Sequence, residues 1–154
     1  MITYKNVEDK DQHFIEKVYR STREQELNLL AWPEEKKQAF IIMQSIAQVD
    51  EYNKKFKGAE HKIILYKKTP AGRLYIWESD SQIRIVDISL LPEFRNKGIG
   101  YKIVNDIMQV AAQKSKFVSL SVAHNNSAKT FYEKLGFKKV SSSNTHENME
   151  YNPT

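Results

Sequence analysis

Apolar positions change period twice along the chain: helical spacing up to about Lys54, strict alternation through the middle, and helical spacing again after Gly98. Ile2 to Tyr4 reads as a short strand, after which Asp9 or Asp11 can cap a helix carrying Phe14, Ile15 and Val18 on one stripe. Trp32-Pro33-Glu34-Glu35 is a second helix start. Its proline occupies a position whose N–H has no intrahelical partner, and its acids sit at the positive end of the dipole. That helix passes Phe40, Met43 and Ala47 to about Lys54, and Gly58 ends it. HKIILYK, RLYIWE and QIRIVDISL read as three strands, with Thr69-Pro70-Ala71-Gly72 and Ser79-Asp80-Ser81 as turns. Links this short make the strands antiparallel neighbours. In the third strand apolar parity changes, from Ile83 and Ile85 to Val86, Ile88 and Leu90, which calls for burial on both faces or for a bulge, the reading favoured here.

A helix from about Gly98 to Gln113 follows, with Ile103, Ile107, Val110 and Ala111 on one face, and then the strand FVSLSVA. Asn125 or Asn126 caps a short helix, NSAKTFYEKL, which Gly136 stops in a left-handed cap with Phe137 behind it. A strand from Phe137 to Val140, a polar loop SSSNTHEN and a last strand near Met149 to Tyr151 complete the pattern. No repeat or linker divides the 154 residues, so a single domain over 1–154 is expected.

Composition narrows the function only a little. The 24 basic and 19 acidic side chains leave +5, with both signs dispersed. That favours anionic ligands but lacks the clustered Lys/Arg and exposed aromatics of a nucleic-acid module, so no nucleic-acid partner is expected. There is no cysteine, which removes disulfides, thiolate metal sites and a cysteine nucleophile, and His13, His61 and His146 have no partner at metal-ligand spacing, so no metal is expected. The acidic start MITYKNVEDKDQ does not read as a secretion signal, and no apolar run approaches the ~20 residues of a membrane helix. A cytoplasmic protein without membrane contact is the resulting expectation.

The chemistry concentrates in two segments. In FRNKGIGYKIV, a strand, a glycine turn and a helix follow in order, which aims unpaired N–H groups and a positive dipole end at one point. Gly98 and Gly100 lack a Cβ, so a ligand can approach the backbone, and Arg95 and Lys97 add charge. The dinucleotide fingerprint fails because position 103 is Ile103, and the Gly-Lys-Ser/Thr of nucleotide triphosphatases is absent. A tight turn with no ligand remains the alternative. In HNNSAKTFYEKLGF, Asn125, Ala128 and Tyr132 are three and four residues apart, so they share a helical stripe with a small residue in its middle. An extended ligand could pass over Ala128 to the Tyr132 hydroxyl; alternatively Phe131, Leu135 and Ala128 form a core face with Tyr132 on its rim.

The pair DISLLPEFRNKGIG and NNSAKTFYEKLGF closely resembles the two signature segments of the GNAT superfamily of acyl-CoA-dependent N-acyltransferases. WPEEKKQAFIIMQ is similar to a subgroup of that superfamily whose substrates are mostly unassigned. The resemblance implies an α/β fold of the α+β type, with a central mixed, mostly antiparallel sheet of about six or seven strands and about four flanking helices. It implies acetyl-CoA as cosubstrate, its pyrophosphate held by main-chain N–H groups of Asn96, Lys97, Gly98, Ile99, Gly100 and Tyr101 with Arg95 at the start. It also implies that the pantetheine arm pairs with strand backbone near Leu90 and Leu91, that Asn125 bonds the arm beside Ala128, and that Tyr132 protonates the leaving thiolate. Homodimers are common in the family.

Acetyl transfer to a primary amine then needs a base, because an amine near ~10.4 is protonated at neutral pH. Asp87 either faces the cleft or forms an ion pair with Arg84 or Arg73. His124, Glu93 and a water relay are the other candidates. Trp32, Tyr75 and Trp77 are candidate linings for the acceptor pocket, or core. A non-catalytic acyl-CoA sensor of the same fold is the competing function, and the acceptor is not legible.

Overall fold

The computed structural model describes residues 1–124 and 126–153. The element order is β1 (Ile2–Asn6), α1 (Gln12–Asn28), α2 (Glu34–Lys55), β2 (Glu60–Tyr66), β3 (Thr69–Glu78), β4 (Gln82–Leu90), α3 (Ile99–Gln113), β5 (Phe117–Ala123), α4 (Ala128–Leu135), β6 (Lys138–Ser142) and β7 (His146–Tyr151). Seven strands form one sheet in the order β1-β2-β3-β4-β5-β7-β6, antiparallel except for the β4–β5 pair, which α3 connects. This is the mixed sheet with four helices expected from the sequence.

The two faces are filled differently. On one, α3 inserts Ile99, Ile103, Ile107 and Ala111 against Ile85, Val118 and Leu120 to make the main core. Each such aliphatic side chain contributes about 1.5–3 kcal/mol by leaving water. Val110, expected on that face, is 41% exposed, and Val104 and Met108 are buried in its place. The opposite face carries α1 and α2, where Tyr19, Leu27 and Ile41 cluster. Met43 and Ala47 of α2 face solvent. Asp11 occupies the position before α1, but its carboxylate accepts the Glu8 N–H at 2.9 Å and the Lys5 ammonium, tying β1 to the helix start instead of capping it.

Two expected loops are strands. The β2–β3 turn is Lys67-Lys68, both left-handed at φ 50° and 70°, a two-residue hairpin whose twist suits the flanking strands. Thr69 to Gly72 belongs to β3, where Pro70 faces Leu65 and Ala71 is bulged out of register. Proline is tolerated there because Pro70 lies beyond the last β3–β4 pair, Gly72 with Leu90, so no neighbour on that side needs its missing N–H. Gly72 is required at that pair, since a Cβ on it would collide with the Ser89 carbonyl oxygen. Likewise SSSNTHEN is mostly β6 and β7, with only Ser143 to Thr145 between them. All of β6 is exposed, so it has no apolar alternation to reveal it.

His61 of β2 stands opposite Tyr75 and stacks on its ring, centroids 4.5 Å apart, with Nε2 buried and without a partner among the described residues. Burial, and secondarily the Arg73 charge, push its pKa down to about 4, against a smaller opposing effect of Asp87. The unfolded chain therefore takes up this proton first. The stabilising contribution is complete above about pH 6.5 and is lost as pH falls toward 4, a difference of about 2–3 kcal/mol. In thermal melts from pH 7 to 4.5, His61→Phe, which keeps the stack and cannot titrate, is expected to lose less stability than the parent; parallel curves would refute this.

Candidate active site

The site begins as a defect in the sheet. β4 and β5 pair only from Gln82–Phe117 to Arg84–Ser119, although both strands run on. Just past that point the β3 partner of Ile85 is Ile76 and that of Asp87 is Tyr75, which leaves Val86 as the extra residue of a bulge. The bulge explains the parity change in the sequence and turns β4 away from β5. Beyond it the Leu91 N–H bonds the Ala71 carbonyl at 2.8 Å, so the ladder's alternation directs the backbone of Ile88 and Leu90 toward the gap. Leu91 itself is buried and committed to β3, so of the two leucines Leu90 is the one whose backbone faces the gap. Arg95 Nε already bonds the Leu90 carbonyl at 2.9 Å.

On one side of the gap lies the glycine turn. Asn96 and Gly98 are left-handed, at φ 60° and 80°, and Gly98 is the residue before α3. The first helical bond runs from Lys102 N–H to the Gly98 carbonyl, so the N–H groups of Ile99, Gly100 and Tyr101 have no intrahelical acceptor. Ile99 is 2% exposed and anchors the turn in the core. A cavity of about 380 Å³ lies against this terminus, lined by Asn96, Gly98, Gly100 and Tyr101 from the turn and by Ala128 and Tyr132 from α4. A Cβ at Gly98 or Gly100 would meet nothing within 4 Å, so both are open to the cavity. Lys97 is exposed and is not in the lining.

α4 closes the gap. Asn126 Oδ1 accepts the Ala128 N–H at 2.9 Å, and Gly136, at φ 106°, ends the helix while the Phe137 N–H bonds the Tyr132 carbonyl. Asn125 lies outside the described residues. Tyr132 is 7% exposed, held edge-on by Phe131 and Phe137, and lines both the cavity at the turn and a small hollow of about 120 Å³ between β4 and β5. Burial first and Asp87 second push its pKa up to about 12. It is packed in the core and lines both cavities at once, where the sequence offered core and cavity as alternatives.

On the other side a cleft of about 800 Å³ opens between α1, α2 and the sheet, with Tyr19, Gln48, Tyr52 and His146 on its walls and Asp87 on its floor. Asp87 is an ion-pair member and a cleft residue at once. Arg73, 1% exposed, donates to Oδ2 from Nε at 2.9 Å and from Nη2 at 2.5 Å, and also to Gln48. Ser89 Oγ donates to Oδ1 at 3.0 Å. Tyr52 is raised to about 12, by burial and then by Asp87. Ile88, Leu90 and Ala128 line the cleft and the glycine-turn cavity alike, so the two meet at the gap.

The other expected residues are elsewhere. His124 turns toward the β6–β7 hairpin, Nε2 at 2.7 Å from the Ser143 carbonyl and Nδ1 at 3.6 Å from Glu147, and does not line the cleft, whereas His146 does. Glu93 is exposed in the turn Pro92–Phe94. Tyr75 is core, Trp77 bonds the Lys57 carbonyl beside Phe56, and Trp32 packs edge-on to Phe40 under Lys36, so none of the three lines the cleft. Among the described residues no group of His, Asp and Glu is placed to hold a metal, and no helix is long and apolar enough to cross a membrane.

The site is thus a splayed parallel strand pair between a helix terminus with free N–H groups and a polar cleft. The family model of the acetyltransferase (GNAT) domain matches residues 18–153. The chain belongs to the GNAT acetyltransferase family. The GNAT fold recurs at low identity in solved structures. The PaiA N-acetyltransferase of Thermoplasma acidophilum, in complex with coenzyme A, is 18% identical with a TM-score of 0.69, over 99% of both chains. An acetyltransferase of Thermus thermophilus is 17% identical with a TM-score of 0.70, over 99% of this chain and 97% of the other. The ribosomal-protein-S18-alanine N-acetyltransferase of Escherichia coli is 12% identical with a TM-score of 0.68, over 100% of this chain and 95% of the other. No curated protein is a match by sequence.

Proposed function

We propose that this GNAT domain transfers an acetyl group directly from acetyl-CoA to a primary amine. The observation that carries the reading is the continuity of the two cavities at the β4–β5 gap, beside Tyr132. The pyrophosphate would be held by the N–H groups of Ile99, Gly100 and Tyr101 and by the turn residues Asn96, Lys97 and Gly98, with Arg95 swinging from Leu90 toward the phosphates. The pantetheine arm then lies along Ile88 and Leu90 and over Ala128, with Asn125 assigned to the arm by motif position. The coenzyme A complex of the PaiA enzyme supports this choice of cosubstrate.

With the thioester at the gap, the amine enters from the cleft. Asp87, oriented by Arg73 and Ser89, attracts its ammonium form and accepts the released proton through water. The free amine forms the C–N bond, the C–S bond breaks, and the Tyr132 hydroxyl gives its proton to the departing sulfur. Solvent then reprotonates Tyr132. Raised to about 12, Tyr132 remains an acid throughout the neutral range, as this role requires.

Melting with and without acetyl-CoA tests the cosubstrate. Ligand at a hundred times its dissociation constant adds ~2.7 kcal/mol, so a rise of about 5–10 °C is expected, followed by CoA release when amines are added. No shift at millimolar acetyl-CoA would remove the cofactor assignment, and a shift with no release from any amine would leave a sensor.

A further inference from the structure

Arg84 and Asp87 are three residues apart in β4, so in a regular strand they would point to opposite faces. The bulge at Val86 cancels that alternation. Arg84 pairs with Trp77 and Asp87 with Tyr75, and residues 75 and 77 share a face, so the cation and the carboxylate project from the same side of the sheet. They lie no more than about 10 Å apart along the strand.

Arg84 opens into a second hollow of about 470 Å³, which it lines with Lys55, Phe56 and Asn148. Gln48, Tyr52, Val86, Ser121 and His146 line both this hollow and the acceptor cleft, so the two are continuous. The guanidinium is poorly satisfied. Nη1 reaches Ser119 Oγ at a long 3.4 Å, Nε is buried with no partner among the described residues, and the group rests 5.8 Å from the Phe56 ring centroid. Burial lowers its pKa, with Glu150 of β7 acting in the opposite direction. Among the described residues Glu51 is the one acid in the hollow's lining, against Arg84 and Lys55. A half-buried cation facing a cavity costs solvation that an arriving anion would restore.

We propose that the acceptor is an amine that also carries a carboxylate or a phosphate, its anion held by Arg84 and Lys55 while its amino group faces Asp87 at the β4–β5 gap. This rests on the acetyl-transfer reading given above. Asp87 and Arg84 then measure the separation between the two ends of the acceptor, which makes Arg84 a specificity-determining residue that does not touch the reacting atoms.

The test compares matched amines that differ by the anion, in binding and in turnover: butylamine with γ-aminobutyrate, tyramine with tyrosine, and ethanolamine with O-phosphoethanolamine. Calorimetry with CoA present reads binding, and CoA release from acetyl-CoA reads turnover. At least one anionic member is expected to bind about tenfold tighter than its neutral match, and which pair shows it tells carboxylate from phosphate. Arg84→Gln should erase that preference through KM while leaving the neutral amine unchanged, and Arg84→Lys should keep most of it. Lys55→Gln, on the exposed end of α2, should reduce it about two- to fivefold without a folding defect. Equal affinity within every pair, no binding by any pair, or a preference that survives Arg84→Gln would overturn the inference. An Arg84-dependent preference in binding with no CoA release from any amine would uphold the anion site and sink the acetyl-transfer reading instead.

Discussion

Tyr132→Phe is expected to lower kcat about 100-fold or more while leaving the dissociation constant of acetyl-CoA unchanged. The substitution removes one oxygen and keeps the ring, whose edge contacts with Phe131 and Phe137 hold α4 in the core. A fold defect is therefore not expected, and a melting temperature close to the parent's checks this. What is lost is the proton donor to the departing sulfur, a contribution of the size general acids supply. Because burial and Asp87 push the Tyr132 pKa up to about 12, its titration lies above the working range. The parent's rate should then show no alkaline loss below about pH 10 that Tyr132→Phe abolishes. Unchanged kcat in the variant would remove Tyr132 from the chemistry and leave it as a core aromatic.

Gly100→Asp should raise the acetyl-CoA dissociation constant at least about 100-fold, since it places a carboxylate where a pyrophosphate is to meet helix N–H groups. Gly100 lies in the first turn of α3 with an ordinary negative φ, and a Cβ there meets nothing within 4 Å, so the folded chain accepts a side chain at this position. The control is Gly100→Ala. It should stabilise the free protein by roughly 0.5–1 kcal/mol, because alanine favours a helix over glycine, yet weaken the ligand by filling space the ligand needs. Opposite signs for stability and affinity in one variant would distinguish a binding glycine from a structural one. Unchanged affinity in Gly100→Asp would mean that the turn serves no phosphate.

Much of the frame was legible in the chain, and the reasons are local. The left-handed glycine after α4 follows from the absence of a Cβ, and the apolar stripe of α3 follows from its period. The parity break in β4 pointed to burial on both faces or to a bulge, and the β3–β4 register shows the bulge. The Lys67-Lys68 turn was missed because it contains none of the residues that favour positive φ, while Pro70 and Gly72, which look like a turn, are held in β3 by β2 and by the close approach of Ser89.

By itself, then, the sequence determined the order of the elements, the glycine turn before α3 and the helix that presents Tyr132, because each depends on residues within a few positions of one another. Tertiary structure alone decided how the cleft beside the gap is built. Arg73 meets Asp87 only because β3 and β4 pair, and Gln48 reaches the same guanidinium only because α2 packs on that face. The Ala123–His146 register sets His146 in the cleft, while neighbouring His124 turns to the hairpin. Pairings of this kind join residues 14 to 25 apart or more in sequence, and no local periodicity encodes which side chain a distant strand will bring alongside.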